Sequence, residues 1–321
     1  MAVSLPSGEL IERFRRDSEA LTAGSPDRLG VAVSGGPDSL ALLLLAHGAW
    51  PGRVHAATVD HRLRPEAADE ARFVARVCEE LGVPHSILAA GVDRTEASLQ
   101  QAARRARYSA LAEWSQAEAI PWLATAHHVE DQAETLMMRL LRGSGVGGLA
   151  GVRGAGPIPA PGASATLVRP LLGWGRAELA GIVREAGLDP VADPSNSDDR
   201  FDRARIRRHL RGADWIDPLP LARSAAALAE AEAALQWAAE RLMAERVSSH
   251  GSVTMFDPTG VPDELRRRVL RRILGGSPRG AEVGRLLATL AAGGRATLAG
   301  VKCSGGPTWR FEPAPPRGLR G

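Results

Sequence analysis

The chain has few cysteines, a single lysine and no long apolar run, and these scarcities limit the classes of protein to which it can belong. Cys78 and Cys303 are its only cysteines, so a disulfide framework and a thiol-pair metal or redox motif are excluded. Lys302 is the only lysine, so almost all positive charge is arginine. The apolar run at residues 40–46 is too short to span a membrane, and the amino terminus lacks the basic start and apolar core of a secretory signal. We therefore expect a cytoplasmic protein that does not associate with membranes.

The overall composition is that of a soluble globular protein. With 321 residues, 44% hydrophobic and 24% charged, the chain is long enough for two domains. A formal net charge of +3 and a pI near 9.4 are compatible with a nucleic acid partner but do not demonstrate one. The preference for arginine is explained equally well by genomic codon bias.

Apolar periodicity predicts strands that alternate with helices. The predicted strands span residues 29–33, 53–59, 83–89 and 121–128, and the predicted helices span residues 38–47, 66–81, 96–118 and 129–142. This alternation favours an α/β fold, a doubly wound parallel sheet with helices on both faces. Ligands bind such sheets at the carboxyl ends of the strands. Cys78 falls on the apolar face of its helix and is expected in the core.

The first predicted strand ends in a short polar segment that indicates phosphate binding. The segment consists of Ser34, Gly35, Gly36, Pro37, Asp38 and Ser39. Two glycines let the backbone approach a ligand, and amides at the start of the next helix surround an oxyanion. No Walker A lysine is present, and Asp38 is most simply a Mg²⁺ ligand. The alternative is a plain strand-to-helix turn in which Asp38 stabilises the helix dipole.

A second polar cluster follows the fourth predicted strand. His127, Asp131 and Glu134 are spaced i, i+4 and i+7, so they share one helical face if the helix begins early enough. That face predicts a second carboxylate for the metal and a polar wall for a substrate. The alternative is the solvated side of an amphipathic helix. A zinc site is disfavoured because H-E-x-x-H is absent and no cysteine is nearby.

The segment 143–148 fits the G-x-G-x-x-G dinucleotide fingerprint but has the wrong context. It follows a predicted helix instead of a strand, and the residues after it are rich in glycine and proline. A nicotinamide or flavin site is therefore disfavoured. A loop that covers an active site and an inert linker both remain open.

These motifs resemble those of the PP-loop, or N-type, ATP pyrophosphatases, and within that superfamily most resemble the tRNA(Ile)-lysidine synthases. SGGPDS is similar to the SGGxDS loop of the superfamily. The resemblance extends over most of residues 28–210 and rests further on the segments at 59–67, 97–108, 125–135, 142–152 and 193–207. Beyond residue 215 it is weaker and rests mainly on residues 294–303. The usual R-N-x-x-R pattern has Ala204 in place of the asparagine.

The resemblance implies a reaction and its participants. Such enzymes adenylate the wobble cytidine of an isoleucine tRNA with a CAU anticodon and then join free lysine to it, releasing AMP and pyrophosphate. ATP and Mg²⁺ are implied, with Asp38 and Asp131 as expected metal ligands. Expected lysine ligands are Glu134 and Asp131. The expected catalytic residues are Asp38, Asp131, His127, Arg203 and Arg207.

The remainder of the chain is expected to form a tRNA-contacting domain. We predict a catalytic domain at 1–212, a mostly helical domain at 213–312 and a disordered tail at 313–321. One helix carries an arginine face consisting of Arg266, Arg267, Arg268, Arg271 and Arg272. Such a face is usually only solvated, but beside an RNA-modifying domain it favours phosphate contact. The sequence leaves a homodimer open.

Two other classes of function remain open at this point. One is another PP-loop adenylating enzyme, either a tRNA thiolase, which commonly needs the paired cysteines that this chain lacks, or a small-molecule amide ligase. The other is a non-catalytic RNA-binding protein, which would need neither an intact SGGPDS segment nor Asp131.

Overall fold

The protein is described from a computed structural model, which covers residues 3–61, 67–91, 99–191, 202–213, 215–275 and 278–314. Parts of three motifs (62–66, 97–98 and 193–201) and most of the predicted tail lie outside these residues. The chain divides into two compact units, Met1–Ala229 and Glu230–Gly321. The sequence predicts a domain boundary at 212/213 instead, and that boundary stays a prediction.

The first unit is built on a six-stranded sheet. Its strands are β1 (Leu29–Ala32), β2 (Val54–Asp60), β3 (His85–Ala89), β4 (Trp122–Ala124), β5 (Ala155–Pro157) and β6 (Thr166–Val168). Their order is β3-β2-β1-β4-β6-β5. The central strand β1 pairs in parallel with β2 and β4, whereas the edge strand β5 runs antiparallel to β6. Leu29, Gly30 and Val31 of β1 are all buried, and because successive residues of a strand point to opposite faces, this is the burial expected for a strand covered on both faces.

The helices of the first unit are α1 (Gly8–Thr22), α2 (Pro37–Ala49), α3 (Ala67–Leu81), α4 (Leu99–Ala117), α5 (Val129–Leu141), α6 (Val146–Leu149), α7 (Arg176–Glu185) and α8 (Asp202–Gly212), and α9 (Pro218–Arg246) begins in this unit and ends in the second. The helices α1 to α4 pack directly on the sheet. Both α1 and α7 pack against α2. Residues 40–45 of α2 are completely buried, which explains why this helix is apolar on all sides. Cys78 is buried in the same core, as predicted.

The α/β class and the parallel sheet predicted from the sequence are confirmed. The fourth strand is shorter than predicted, because β4 ends at Ala124 and residues 125–128 form a loop before α5. The strands β5 and β6 are not predicted by the sequence. Each has three residues, too few for a recognisable alternation of apolar and polar side chains.

The second unit contains an antiparallel sheet as well as helices. The sheet consists of β7 (Val247–His250), β8 (Val253–Phe256), β9 (Arg295–Leu298), β10 (Val301–Ser304) and β11 (Trp309–Pro313), and the helices are α10 (Asp263–Leu274) and α11 (Gly280–Ala291). The strand order is β7-β8-β11-β10-β9. Phe256 and Trp309 pack edge to face in its core, with ring centroids 5.7 Å apart. Helices are predicted here by the sequence, but the five-stranded sheet is not.

None of the helices in the described ranges is both long and apolar enough to cross a membrane.

Candidate active site

The SGGPDS segment joins β1 to α2: residues 34–36 form a tight turn, and Pro37, Asp38 and Ser39 are the first residues of the helix. Gly35 has φ +84°, a left-handed conformation that favours glycine. The Ser39 hydroxyl donates to the Gly36 carbonyl at 2.9 Å and accepts from the Ser34 amide at 3.1 Å. Gly36, the residue before α2, has no side chain that could bind the amides of the first helical turn. These amides are therefore directed to an anion, as a phosphate-binding turn requires.

Asp38, in the first turn of α2, has a carboxylate oxygen that calls for a ligand. Its Oδ2 lies 3.3 Å from Nε2 of His128. Its Oδ1 is buried and has no hydrogen-bond partner among the described residues. A buried oxygen in this state is costly unless a ligand satisfies it. No group of three or more His, Cys, Asp or Glu within the described ranges is arranged to hold a metal. The buried Asp38 Oδ1, at the start of a helix whose first amides are free to bind phosphate, fits Mg²⁺ held by one carboxylate together with substrate phosphate oxygens.

His128, which is not among the predicted site residues, connects this turn to α5. It directly precedes the helix and is 1% exposed. Its Nδ1 lies 2.8 Å from Oε2 of Glu130, and its Nε2 lies 3.5 Å from Oδ2 of Asp131. Burial alone would lower the pKa of His128, but its contacts with Asp38 and Glu130 and the charge of Asp131 raise the pKa to about 9. The raised pKa favours the protonated form of His128, whose Nε2 lies between the carboxylates of Asp38 and Asp131 and 3.3 Å from Nη2 of Arg176.

His127 lies in the loop before α5 and not on the helix itself. The Oγ1 atom of Thr125 is 3.1 Å from Nδ1 of His127, which leaves Nε2 as the nitrogen that can face a ligand. Burial lowers the pKa of His127 to about 3; the charge of Asp131 opposes this shift, while Arg169 and Arg107 add to it. At physiological pH His127 is therefore neutral. It can exchange a hydrogen bond with a substrate but does not supply a positive charge.

Two arginines of α8 bind the carboxylates of α5. Arg203 and Arg207 lie one helical turn apart, and each donates from Nε to the 2%-exposed Glu134, at 2.8 Å and 2.6 Å. Arg203 also donates to Oδ1 of Asp131 at 2.6 Å. Burial alone would raise the pKa of Glu134, but both arginines outweigh it and hold the pKa below its ordinary value. The structure thus brings together Asp131, Glu134 and both arginines, and their roles in the reaction stay predictions.

Arginine occupies the carboxylates that are expected to bind lysine. Asp131 accepts the His128 amide on Oδ2 at 3.1 Å, and its Oδ1 is held by Arg203. A substrate cation or Mg²⁺ therefore reaches Asp131 or Glu134 only when a guanidinium moves. The roles of these two carboxylates in binding lysine, and of Asp131 in binding metal, stay predictions. The contacts of the flanking arginines do not involve Ala204.

The glycine-rich segment 143–148 follows α5, and side chains of α5 form hydrogen bonds with it and with the residues just after it. Arg139 donates to the carbonyls of Gly148 and Gly151 at 2.6 Å and 2.9 Å. The side chain of Gln132 bonds both the amide and the carbonyl of Val152, at 2.6 Å and 2.8 Å. This segment does not follow a strand, so it lacks the context of a dinucleotide fingerprint.

The five arginines of α10 differ strongly in solvent exposure. Arg268 is 6% exposed and donates to both carboxylate oxygens of Glu232, at 2.9 Å and 2.6 Å. It therefore holds α10 against α9 and does not present its charge to solvent. The other four arginines are less buried, and three of them pair with neighbours: Arg266 with Asp263, Arg267 with Glu264 and Arg272 with Glu240. A tRNA-binding role for this face stays a prediction.

Comparisons with known proteins identify the family to which a sheet with this phosphate-binding turn belongs. Residues 11–213 match the family model described as PP-loop domain. A tRNA(Ile)-lysidine synthase from Novosphingobium aromaticivorans is 48% identical over 308 residues, covering 94% of this chain and 93% of the relative. One from Zymomonas mobilis is 45% identical over 318 residues, covering 96% of each. The fold is similar to that of a U34-tRNA thiolase from Methanococcus maripaludis, with a TM-score of 0.53, 16% identity, and coverage of 79% of this chain and 84% of that one.

Proposed function

The chain belongs to the PP-loop family and, within it, to the tRNA(Ile)-lysidine synthases, and we propose that it joins free lysine to the wobble cytidine of an isoleucine tRNA with a CAU anticodon. The reaction consumes ATP, passes through an adenylated cytidine, and releases AMP and pyrophosphate. One structural observation carries this proposal. Asp38 in the phosphate-binding turn contacts His128, which in turn contacts Asp131 beside the arginines of α8.

In the first half-reaction, the ring-2 oxygen of cytidine attacks the α-phosphorus of ATP, and the bond to the β-phosphate oxygen breaks. The amides of the turn, with the hydroxyls of Ser34 and Ser39, suit the β- and γ-phosphates that leave as pyrophosphate. Mg²⁺, when bound by Asp38, would withdraw negative charge from that leaving group. His128 would keep the Asp38 carboxylate in place through its 3.3 Å contact.

The cations of α8 suit the charge on the α-phosphate. Arg203 and Arg207 are fixed before any substrate arrives, because Glu134 binds both of them. Groups oriented in advance lose little free energy to reorganisation when charge develops. We assign to His127, which is neutral, a hydrogen bond to the adenylate rather than a charge contact.

In the second half-reaction, the ε-nitrogen of lysine attacks C2 of the adenylated cytidine and AMP leaves. We assign the binding of the lysine ammonium to Asp131 and Glu134, which requires Arg203 to move away from at least one of them. The ammonium must lose a proton before it can attack, and one of these two carboxylates is the base that accepts it. Cys78 and Cys303 are free and buried, which agrees with a reducing compartment, and we place the reaction in the cytoplasm.

Product analysis tests this proposal. ATP labelled at the α-phosphate is incubated with Mg²⁺, lysine and isoleucine tRNA, and we expect labelled AMP and unlabelled pyrophosphate. ADP and orthophosphate would contradict adenylation and favour a kinase or a simple ATPase. AMP formation on tRNA that never leads to lysine transfer would favour another PP-loop adenylating enzyme, such as a tRNA thiolase.

A further inference from the structure

Three arginines converge on one buried tyrosine beside the candidate active site. Arg104 and Arg107 lie on α4, with their guanidinium carbons 5.0 Å and 5.3 Å from the ring centroid of Tyr108. Arg169 directly follows β6, and its guanidinium also lies beside the phenol. Tyr108 is completely buried, whereas Arg104 is exposed. The tyrosine therefore forms the floor of a basic cluster whose rim is open to solvent.

Among the described residues, no carboxylate forms an ion pair with Arg104, Arg107 or Arg169. Nη1 of Arg169 donates to the Arg153 carbonyl at 2.7 Å. Nε of Arg107, Nε of Arg169 and the phenol oxygen of Tyr108 are buried and have no well-aligned hydrogen-bond partner within the same residues. Burial lowers the pKa of Arg169. Partly buried cations and unsatisfied donors are costly in this state, and an anion would relieve both costs.

The position of the cluster links it to the reaction. Arg169 follows β6, and His127 follows β4, so both lie at the carboxyl edge of the sheet, where ligands bind in this class of fold. The charges of Arg107 and Arg169 both contribute to the lowered pKa of His127. The cluster thus borders the site in which the target base is expected to react.

We propose that Arg104, Arg107 and Arg169 bind a backbone phosphate of the tRNA anticodon loop next to the target cytidine. This inference rests on the proposed function. A base that is to be modified must leave its stack, and contacts to the flanking backbone hold it in register. Guanidinium groups match phosphate oxygens in paired hydrogen bonds. The pyrophosphate of ATP already has the SGGPDS turn, and the open rim at Arg104 suits a long polyanion better than an enclosed small molecule.

The test compares the Arg104→Gln/Arg169→Gln double variant with Arg184→Gln, a matched control. Arg184 is an exposed arginine in the last turn of α7. The probe is an unmodified isoleucine tRNA transcript, and its affinity is measured across a salt series, together with ATP affinity and the KM for lysine. We expect about a tenfold loss of tRNA affinity and a salt slope reduced by about one for each lost contact. ATP affinity and the KM for lysine should not change.

Three outcomes would overturn the inference. A tRNA affinity and slope equal to those of the control would mean that the cluster does not contact RNA. A raised KM for lysine at unchanged tRNA affinity would assign the cluster to the lysine carboxylate, and weakened ATP binding would assign it to the nucleotide. The thermal stability of the double variant is measured as well, because the substitutions remove the hydrogen bond from Arg169 to the Arg153 carbonyl and the contact of Arg104 with the Tyr108 ring. If the double variant does not fold, the single variant Arg104→Gln is used in the same binding measurements, because that side chain is exposed.

Lysine transfer by the wild-type protein is measured separately. Failure of the proposed function is therefore distinguishable from failure of this inference.

Discussion

Glu134→Gln tests whether Glu134 anchors the arginines of α8. Glu134 is 2% exposed and accepts hydrogen bonds from Nε of Arg203 at 2.8 Å and from Nε and Nη2 of Arg207 at 2.6 Å and 3.1 Å. Glutamine has nearly the same size but no charge, and its amide group would face guanidinium donors. Removing one partner of a buried ion pair costs about 3–5 kcal/mol.

We expect the lower end of that range, about 3 kcal/mol, because the Arg203 side chain is 36% exposed and water can solvate it again. For a unit of this size the corresponding decrease in Tm is about 6–12 °C. Calorimetry compares this variant with Glu113→Gln, which removes the charge of an exposed glutamate on α4 and should change stability by less than about 0.5 kcal/mol. A Tm for Glu134→Gln that equals the control would refute the anchoring role.

The pH dependence provides a second readout. The pKa of folded Glu134 lies below its ordinary value of 4.5. The unfolded chain therefore takes up this proton at a higher pH than the folded chain does. The stabilisation is fully present above about pH 4.5 and is lost as the pH falls through the lower pKa of the folded state. The Tm difference between wild type and Glu134→Gln should be constant near neutral pH and shrink in acid.

Four further predictions concern the carboxylates of the site, the arginines of α10, the buried Arg268 and the two cysteines. Asp38→Asn and Asp131→Asn should each abolish adenylation in a folded protein, since losing a ligand or charge stabiliser costs about several kcal/mol in the transition state; full AMP formation by either variant at unchanged Tm would exclude that residue from the chemistry. Replacing the four less buried arginines of α10 by glutamine should weaken tRNA binding and flatten its salt slope while ATP binding is retained; an unchanged slope would mean that this face is only solvated. Arg268→Gln, in contrast, should lower the Tm, because it removes the buried cation that pairs with the Glu232 carboxylate. Burial raises the pKa of Cys78 to about 12 and that of Cys303 to about 11, so neither thiol should react with a thiol reagent at pH 8 until urea unfolds the protein; rapid labelling of the native protein would contradict their burial.

The phosphate-binding turn could be predicted from the sequence alone. SGGPDS indicates such a turn because an apolar strand precedes it and a helix follows it, and both elements are recognised from local patterns. The position of His128 at the end of the fourth predicted strand marks it as a candidate, but no local pattern indicates its contact with Asp38, which spans 90 residues of chain. The spacing of His128 and Asp131, three residues apart at a helix start, is a second local signal.

Long-range pairing accounts for most of the other differences. The spacing of Arg203 and Arg207 predicts that they share a helical face, but no pattern in α8 indicates that Glu134 binds them. Arg268 is indistinguishable in sequence from its neighbours, and only the position of Glu232 on α9 explains its burial. The sheet of the second unit consists of strands of four or five residues, such as Arg295–Leu298, whose pairing is decided by contacts distant in sequence.

Transfer of labelled lysine tests the central claim most directly. The wild-type protein is incubated with ATP, Mg²⁺, labelled free lysine and an unmodified isoleucine tRNA with a CAU anticodon, and a methionine tRNA with the same anticodon is the matched control. We predict that label enters the isoleucine tRNA in an ATP-dependent manner, remains on one nucleoside after nuclease digestion, and does not enter the methionine tRNA. If the isoleucine tRNA gains no label while the protein is folded and binds ATP, the proposed function is wrong.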